Sequence, residues 1–465
     1  MTMSLSTGLI SGMDTGSLIS QLVAAEAMPQ TALKTRLSAV QKTSSAYQTV
    51  NTTFAAIRAA AEALTPTALT AARKATSSSA DATASAGASA VNGSSITFAV
   101  TALAKTHRVL SVGEWASPTA DLRTAAGGTP QALTWPIEII DTATGTSRGP
   151  VTVATPATLA DAVKAINDAD LGVRATAVQV DSGKYRLQLT SEESGAAGAF
   201  VVKSSSDPAG DPGLQFTTTS TGRDATLDLG GNQVATSSTN TFTNLMDGVS
   251  VTVTKVDPTA EITVSVKDDP DSVAAKVQAL VDAVNAAVST VKTYTSNAPG
   301  STAALKGDFS VTSLSGRLLD AVSRAVGTDG SPSKIGFQLT RDGKVTFDKA
   351  KFVTALKETP ELAARMVGGA PAVGSVPAVT GIAERLLSVA KAASDSTTGT
   401  LVALAKGQDS QAKDIQTRID AWDLRLAKRK ETLTRQFTAM ETALSSLRNQ
   451  STWLAGQINS LPSSS

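Results

Sequence analysis

His107 is the only histidine in this 465-residue chain, and cysteine is absent. Disulfide staples, thiolate zinc sites, His-ligated metal clusters and cysteine nucleophiles are therefore excluded, and a serine triad nearly so. His107 could act as a base, but with no companion His or Cys it reads as a strand-end surface residue. Asp268, Asp269 and Asp271 offer carboxylate oxygens of the kind that hold calcium. They lack the glycine and the distal glutamate of an EF-hand loop, so they read as the start of a helix, where negative charge meets the positive end of the dipole. Lys428-Arg429-Lys430 could contact nucleic acid or acidic lipid. Asp420, Asp423 and Glu431 interleave with them, which favours a solvated coiled-coil face. No paired-carboxylate motif stands out, so the expectation is a protein without catalytic, cofactor or metal residues.

Composition points the same way. The chain holds 41 Lys plus Arg against 40 Asp plus Glu, and so small a net charge exerts no long-range pull on nucleic acid or an anionic membrane. No apolar stretch approaches the ~20 residues that span a bilayer. Aromatic residues make up 4%, so the cores must be built from Ala, Val, Leu and Ile. At roughly 150 residues per domain, about three domains are expected. Residues Met1 to Ile10 carry no positive charge and no continuous apolar core, so they do not read as a secretory signal peptide. The chain is expected to stay in the cytoplasm or to leave by a route that reads another signal.

The elements are helical at both ends and β-rich between. Leu18, Ile19, Leu22 and Val23 share one helical face that Asp14 or Ser17 can cap, and Pro29 is expected to end or kink this helix. Leu33, Leu37, Val40, Tyr47, Val50, Phe54, Ile57, Ala61 and Leu64 follow as a coiled-coil-like seam, closed by Pro66. From Ile96 to about Val266 period-two strands dominate, as in 96–100, 249–253 and 262–266. A short helix is expected over 159–166, with strands over 173–180 and 185–190 around Asp181-Ser182-Gly183. Helical spacing returns at Val273, Val277, Leu280, Val281, Val284 and Val288. A hairpin is expected at 336–347, turning at Asp342-Gly343. The last seam runs Ile415, Ile419, Trp422, Leu426, Leu433, Phe437, Met440, Leu444, Leu447, Leu454, Ile458 and Leu461, with one slip near Arg429 and Lys430. Neither terminal seam can bury its stripe alone, so the ends should pack on each other and on neighbouring subunits. Trp422 and Trp453 either anchor an interface or fill an intramolecular core.

Short patterns narrow the reading. Gly8-Leu9-Ile10-Ser11-Gly12-Met13-Asp14 followed by Ile19-Ser20-Gln21-Leu22-Val23-Ala24-Ala25-Glu26 resembles the start of the bacterial flagellar filament cap proteins, the hook-associated protein 2 family. Val100-Thr101-Ala102-Leu103-Ala104-Lys105 resembles the family's first head strand. Residues 158–200, centred on Ile166-Asn167 and Tyr185-Arg186-Leu187, resemble the "IN" module that flagellins share with cap proteins. Residues 242–253, Asp268-Asp269-Pro270-Asp271, Gly307-Asp308, Ile335-Gly336 and Arg341-Asp342-Gly343 resemble its head-to-stalk junction and stalk motifs. Gln436-Phe437-Thr438-Ala439-Met440-Glu441 and 447–454 resemble its last helix. Residues 115–157 carry none of these patterns.

The resemblance implies a ring-like homo-oligomer at the growing filament tip, with heads forming a plate and helical legs inserted among the last filament subunits. It would guide flagellin into place and prevent its escape. It also implies unfolded export with a chaperone, contact with hook-junction proteins and, in some members, adhesion to host surface glycans. No nucleic acid, membrane or cofactor is expected. The expected fold class is α+β multidomain, with terminal coiled-coil-like helices forming a stalk and two mostly β heads in the middle. Residues 1–45 and 426–465 are expected as terminal helical segments, and 46–75 with 271–425 as the helical stalk. Residues 76–115 with 223–270 are expected as a β head, and 116–222 as an inserted outer β head. The expected assembly interface is Leu18, Leu22, Leu433, Phe437, Met440, Leu444, Leu447, Trp453, Leu454 and Ile458. Other readings are a flagellin or hook-junction subunit, whose amino-terminal Asn-Thr-Asn pattern is missing, a dedicated adhesin, whose glycan face would need exposed aromatics, and a carboxylate-based hydrolase.

Overall fold

A computed structural model describes residues 14–126, 133–205, 215–373 and 377–459, with side chains in the last helix as far as Gln457. The opening motif through Met13, the Ile458 side chain, Leu461 and the tail 463–465 lie outside the described residues. Two compact units form, Met1–Thr70 with Pro270–Ser465, and Ala71–Asp269.

The amino-terminal helices are α1 (Thr15–Glu26), α2 (Met28–Glu62) and α3 (Pro66–Thr70). Asp14 caps α1 by accepting the Ser17 amide at 2.9 Å, satisfying one of the amides a helix start leaves unpaired. As expected, α1 ends ahead of Pro29, at Glu26, and Pro29 starts the next helix. It stands in the first turn of α2, where a missing N–H removes no hydrogen bond.

The second unit holds fifteen strands among its described residues. They are β1 (Arg73–Ser77), β2 (Ala82–Ala86), β3 (Ser95–Ala102), β4 (Thr106–Ser111), β5 (Ile137–Asp141), β6 (Ser147–Val151), β7 (Val173–Asp181) and β8 (Lys184–Ser194). After them come β9 (Phe200–Ser204), β10 (Phe216–Ser220), β11 (Ala225–Asp228), β12 (Val234–Ser237), β13 (Thr241–Met246), β14 (Val249–Val253) and β15 (Asp257–Asp268). Helix α4 (Leu159–Ala169) precedes β7, and the Thr158–Asp161 capping box starts it.

This unit has two cores. The inner one lies between the sheets β1-β15-β3-β11-β12 and β13-β14-β2, where Phe98, Val100, Leu227, Val251 and Val264 are buried together. The outer one is enclosed by β10-β4-β8-β7, β6-β5-β9 and α4, around Trp115, Ile137, Leu159, Leu187 and Phe200. The expected grouping of 76–115 needs correction at its end. Strand β4 pairs with β8 and β10, and its Val109 and the following Trp115 enter the outer core. The crossing lies earlier, at the isolated bridge between Lys105 and Arg223. Similarly, β1 belongs to the β unit through its pairing with β15, Ala75 opposite Val266, and not to the helical stalk.

The remaining helices are α5 (Pro270–Thr295), α6 (Phe309–Ser323), α7 (Lys349–Glu358), α8 (Pro360–Gly368), α9 (Ile382–Ser394) and α10 (Thr400–Asn459). The hairpin β16 (Phe337–Leu339) and β17 (Val345–Phe347) pairs Phe337 with Phe347, and Gly343 supplies the positive φ its turn requires. The Asn285 amide both donates to and accepts from the Val345 backbone, tying α5 to β17. Helix α2 packs against α5, α9 and α10 and buries Val40, Tyr47, Val50, Phe54, Ile57 and Ala61. Helix α10 runs 60 residues, so at 1.5 Å per residue it is ~90 Å long. It passes Arg429 and Lys430 unbroken, and neither residues 45–46 nor 425–426 interrupt a helix. No helix of the described residues is long and apolar enough to cross a membrane.

Candidate assembly interface

The seam between α2 and α10 is apolar with polar rungs. Val40, Ile415 and Ile419 are buried together, with Leu33 and Leu37 against them. Ser44 donates to Asp409 Oδ1 at 2.5 Å, and the buried Gln30 donates to Asp423 Oδ1 at 2.5 Å. From Gln30 to Ser44 is 14 residues, and from Asp423 back to Asp409 is also 14. The rungs thus recur at two heptads in antiparallel register, as a supercoiled seam requires. Arg429 continues the series with an ion pair to Glu26 at 2.8 Å, holding α1 on α10.

Beyond that pair the two helices part company with their own core. In α1, Thr15 and Ile19 are buried, whereas Leu18 and Leu22 are 37% and 46% exposed. In α10 the buried positions end at Leu433. Phe437 and Leu444 are half-buried, and Met440, Leu447, Trp453 and Leu454 are exposed. Nine of the ten expected interface residues have described side chains, and eight remain at least partly uncovered. Leu433 does not. It is 6% exposed, one heptad past Leu426, and belongs to the intramolecular seam. The two ends pack on each other, as the terminal seams lead one to expect, since Gln30, Val40 and Ser44 are buried against α10. Trp453, 67% exposed, fills no core, whereas Trp422 is half-buried with the Arg425 guanidinium 4.8 Å above its ring.

The groups that could do chemistry are occupied structurally. Asp271 lies in the first turn of α5 and pairs with Lys349 at 3.1 Å. His107 is not a surface residue. It is 6% exposed in β4, accepts the Gly222 amide through Nδ1 at 3.2 Å, and stands edge-on to Phe200. Local sequence does not show this burial, because Gly222, whose amide it accepts, lies 115 positions away. Burial pushes its pKa down, a backbone contact with Phe200 opposes the shift, and Nε2 has no hydrogen bond of normal geometry.

Residues 11–107 match the family pattern "Flagellar hook-associated protein 2 N-terminus", 222–449 match "Flagellar hook-associated protein 2 C-terminus", and 140–193 match "Flagellin hook IN motif". The flagellar hook-associated protein 2 of Escherichia coli K12 is 26% identical over 97% of both chains. The lateral flagellar hook-associated protein 2 of Vibrio parahaemolyticus is 31% identical over 43% of this chain and 47% of its own. The crystal structure of the flagellar cap protein FliD D1-D2-D3 domains from Escherichia coli, 22% identical, covers 78% of this chain and 99% of its own with a TM-score of 0.57, and so shares the fold. With amino- and carboxyl-terminal patterns in order and a full-length relative, this chain belongs to the flagellar hook-associated protein 2 family.

Proposed function

We propose that this chain caps the distal end of the flagellar filament as a homo-oligomer, promotes flagellin assembly and prevents loss of subunits. The observation that carries this reading is the unpartnered apolar surface of Leu18 and Leu22 on α1 and of Phe437, Met440, Leu447 and Leu454 on α10, at the far end of a seam that is otherwise closed. Large apolar side chains left at least partly uncovered along ~25 Å of helix are a surface awaiting partners. In this reading the stripe is the leg that contacts filament and neighbouring subunits, the helical unit is the stalk, and the two β cores are the heads. The work is structural, at an extracellular site, with an export chaperone and the hook-junction proteins as further partners.

The test is complementation of a strain lacking the gene, with electron microscopy of filament tips. The full chain should restore capped, growing filaments. A chain ending before Leu433 should keep folded heads and lose attachment. If that truncated protein still capped filaments and supported growth, the leg assignment would be wrong.

A further inference from the structure

Between the start of α2 and the middle of α10 lies an open groove lined by Pro29, Leu33, Arg36, Arg418, Trp422 and Arg425. A second hollow continues from Arg425 to Lys428 and Arg429. The floor is apolar and aromatic, since Trp422 and Leu33 are half-buried. The rim is cationic. Arg36, Arg418, Arg425 and Lys428 are exposed, and among the described residues none of the four forms an ion pair.

Of the carboxylates near this rim four have other partners, while Asp414 stands one turn before Arg418 and forms no ion pair with it among the described residues. Asp423 accepts from Gln30, Asp420 from Gln416, Glu26 pairs with Arg429, and Glu431 pairs with Arg435. Helix α2 supplies no acidic residue before Glu62. A nearly neutral chain therefore concentrates unpaired cations over one apolar groove. Arg418 and Arg425 stand one heptad apart on one face of α10, ~10 Å along the axis. That spacing suits carboxylates two turns apart on a helix, or about three residues apart in an extended segment.

We propose that this groove docks an acidic segment of a partner protein. Its carboxylates would meet Arg36, Arg418, Arg425 and Lys428, and its aliphatic side chains would cover Trp422 and Leu33. Arginine suits this role because its planar fork pairs with carboxylate while its stem and face stay on aromatic surface. A nucleic acid fits less well, because phosphates gain nothing from the apolar floor. The inference is independent of the capping reading.

The test uses the full-length protein and a fluorescent two-heptad peptide with Glu and Leu at helical spacing. The controls are the same peptide with Gln for Glu, a DNA duplex of matched charge, and vesicles containing phosphatidylglycerol. Anisotropy should show saturable binding of the Glu peptide that weakens with salt, and the Gln peptide should bind at least about tenfold more weakly. Arg418→Glu with Arg425→Glu should weaken the Glu peptide about tenfold or more. Arg418→Gln with Arg425→Gln and Trp422→Ala should weaken it in the same direction at unchanged helicity. Lys276→Glu with Lys292→Glu, an equal charge change on α5, should leave binding as it was. The proposal is overturned if the Glu peptide does not bind, if the two double charge reversals weaken it equally, or if DNA or vesicles bind the groove as tightly. Filament capping is read separately, so loss of peptide binding with capping intact removes this inference alone.

Discussion

His107 and Gly222 lock the crossing between the two β cores: the Gly222 amide donates to His107 Nδ1 at 3.2 Å. A Cβ on residue 222 would fall 2.6 Å from the Gly195 carbonyl and 3.2 Å from the His107 Cβ, so only glycine fits there. Lys105 and Arg223 bridge beside them, and the Asp224 carboxylate is occupied by the Ala196 amide. Among the described residues no carboxylate accepts from the imidazole, so a charged His107 would have neither its Gly222 bond nor a counter-ion there.

This geometry fixes the sign of a pH dependence. The folded pKa of His107 lies below 6.5, with burial as the main cause. Between those two values the unfolded chain binds a proton that the folded chain does not, so stability is present above about pH 6.5 and is lost as pH falls through the folded pKa. Denaturant unfolding followed through Trp115, buried in the outer core, should shift to lower denaturant between pH 7 and pH 5. His107→Gln should flatten that interval, because histidine occurs nowhere else in the chain. An equal slope in the variant would mean that carboxylates cause the loss.

Ser44 and Asp409 give a second prediction. Ser44 is buried and Asp409 is exposed, so Ser44→Ala should cost about 1 kcal/mol, the net value of one hydrogen bond to a carboxylate that water can solvate in its absence. Adding Asp409→Ala should cost less than the sum of the single changes, and a double-mutant cycle reads the coupling. Strict additivity would show that the rung contributes no interaction of its own.

The periodicities were legible because they are local. Spacing of three and four located α2, α5 and α10, and alternation located β3, β14 and β15. What escaped was settled by residues far apart in sequence. Strand β4 joined the outer sheet because Val109 faces Leu189 across β8, 80 positions on, and the rung from Ser44 closes over 365 positions. The break between α1 and α2 is legible locally, because Pro29 fits the first turn of a helix and not its interior. The interface stripe was legible as far as its apolar spacing, but spacing did not distinguish Leu433, which the chain covers itself, from Met440, which it leaves open.

That boundary predicts where protection against exchange should end. Past Leu433 no described side chain of α10 is buried, and a helix without tertiary support is marginal in water. In a dilute monomer, amides of 400–433 should exchange slowly and those of 434–459 quickly, and assembly should slow the latter. Uniform protection to residue 459 in a verified monomer would refute the need for neighbouring subunits.

Refolding should follow an order set by loop closure. Helices α5 to α9 contact one another within one stretch of chain, and such contacts form fast. The α2–α10 seam joins opposite ends of the chain and starts with the largest entropic penalty. Pairing of β1 with β15 brings Ala72 and Asp269 within a hydrogen bond, which shortens the loop between α2 and α5 before they meet. Helical circular dichroism should therefore rise first, then Trp115 should become buried, and contact between α2 and α10 should come last. The absence of native cysteine allows dyes at Lys34→Cys and Lys413→Cys to report that last step by energy transfer. Trp422→Phe and Trp453→Phe would leave tryptophan signals only in the β unit. Every phase should proceed with chelator present and no oxidant added. Energy transfer before Trp115 burial would overturn the order, and β cores that stayed unfolded until a metal was supplied would overturn the cofactor-free reading of the protein.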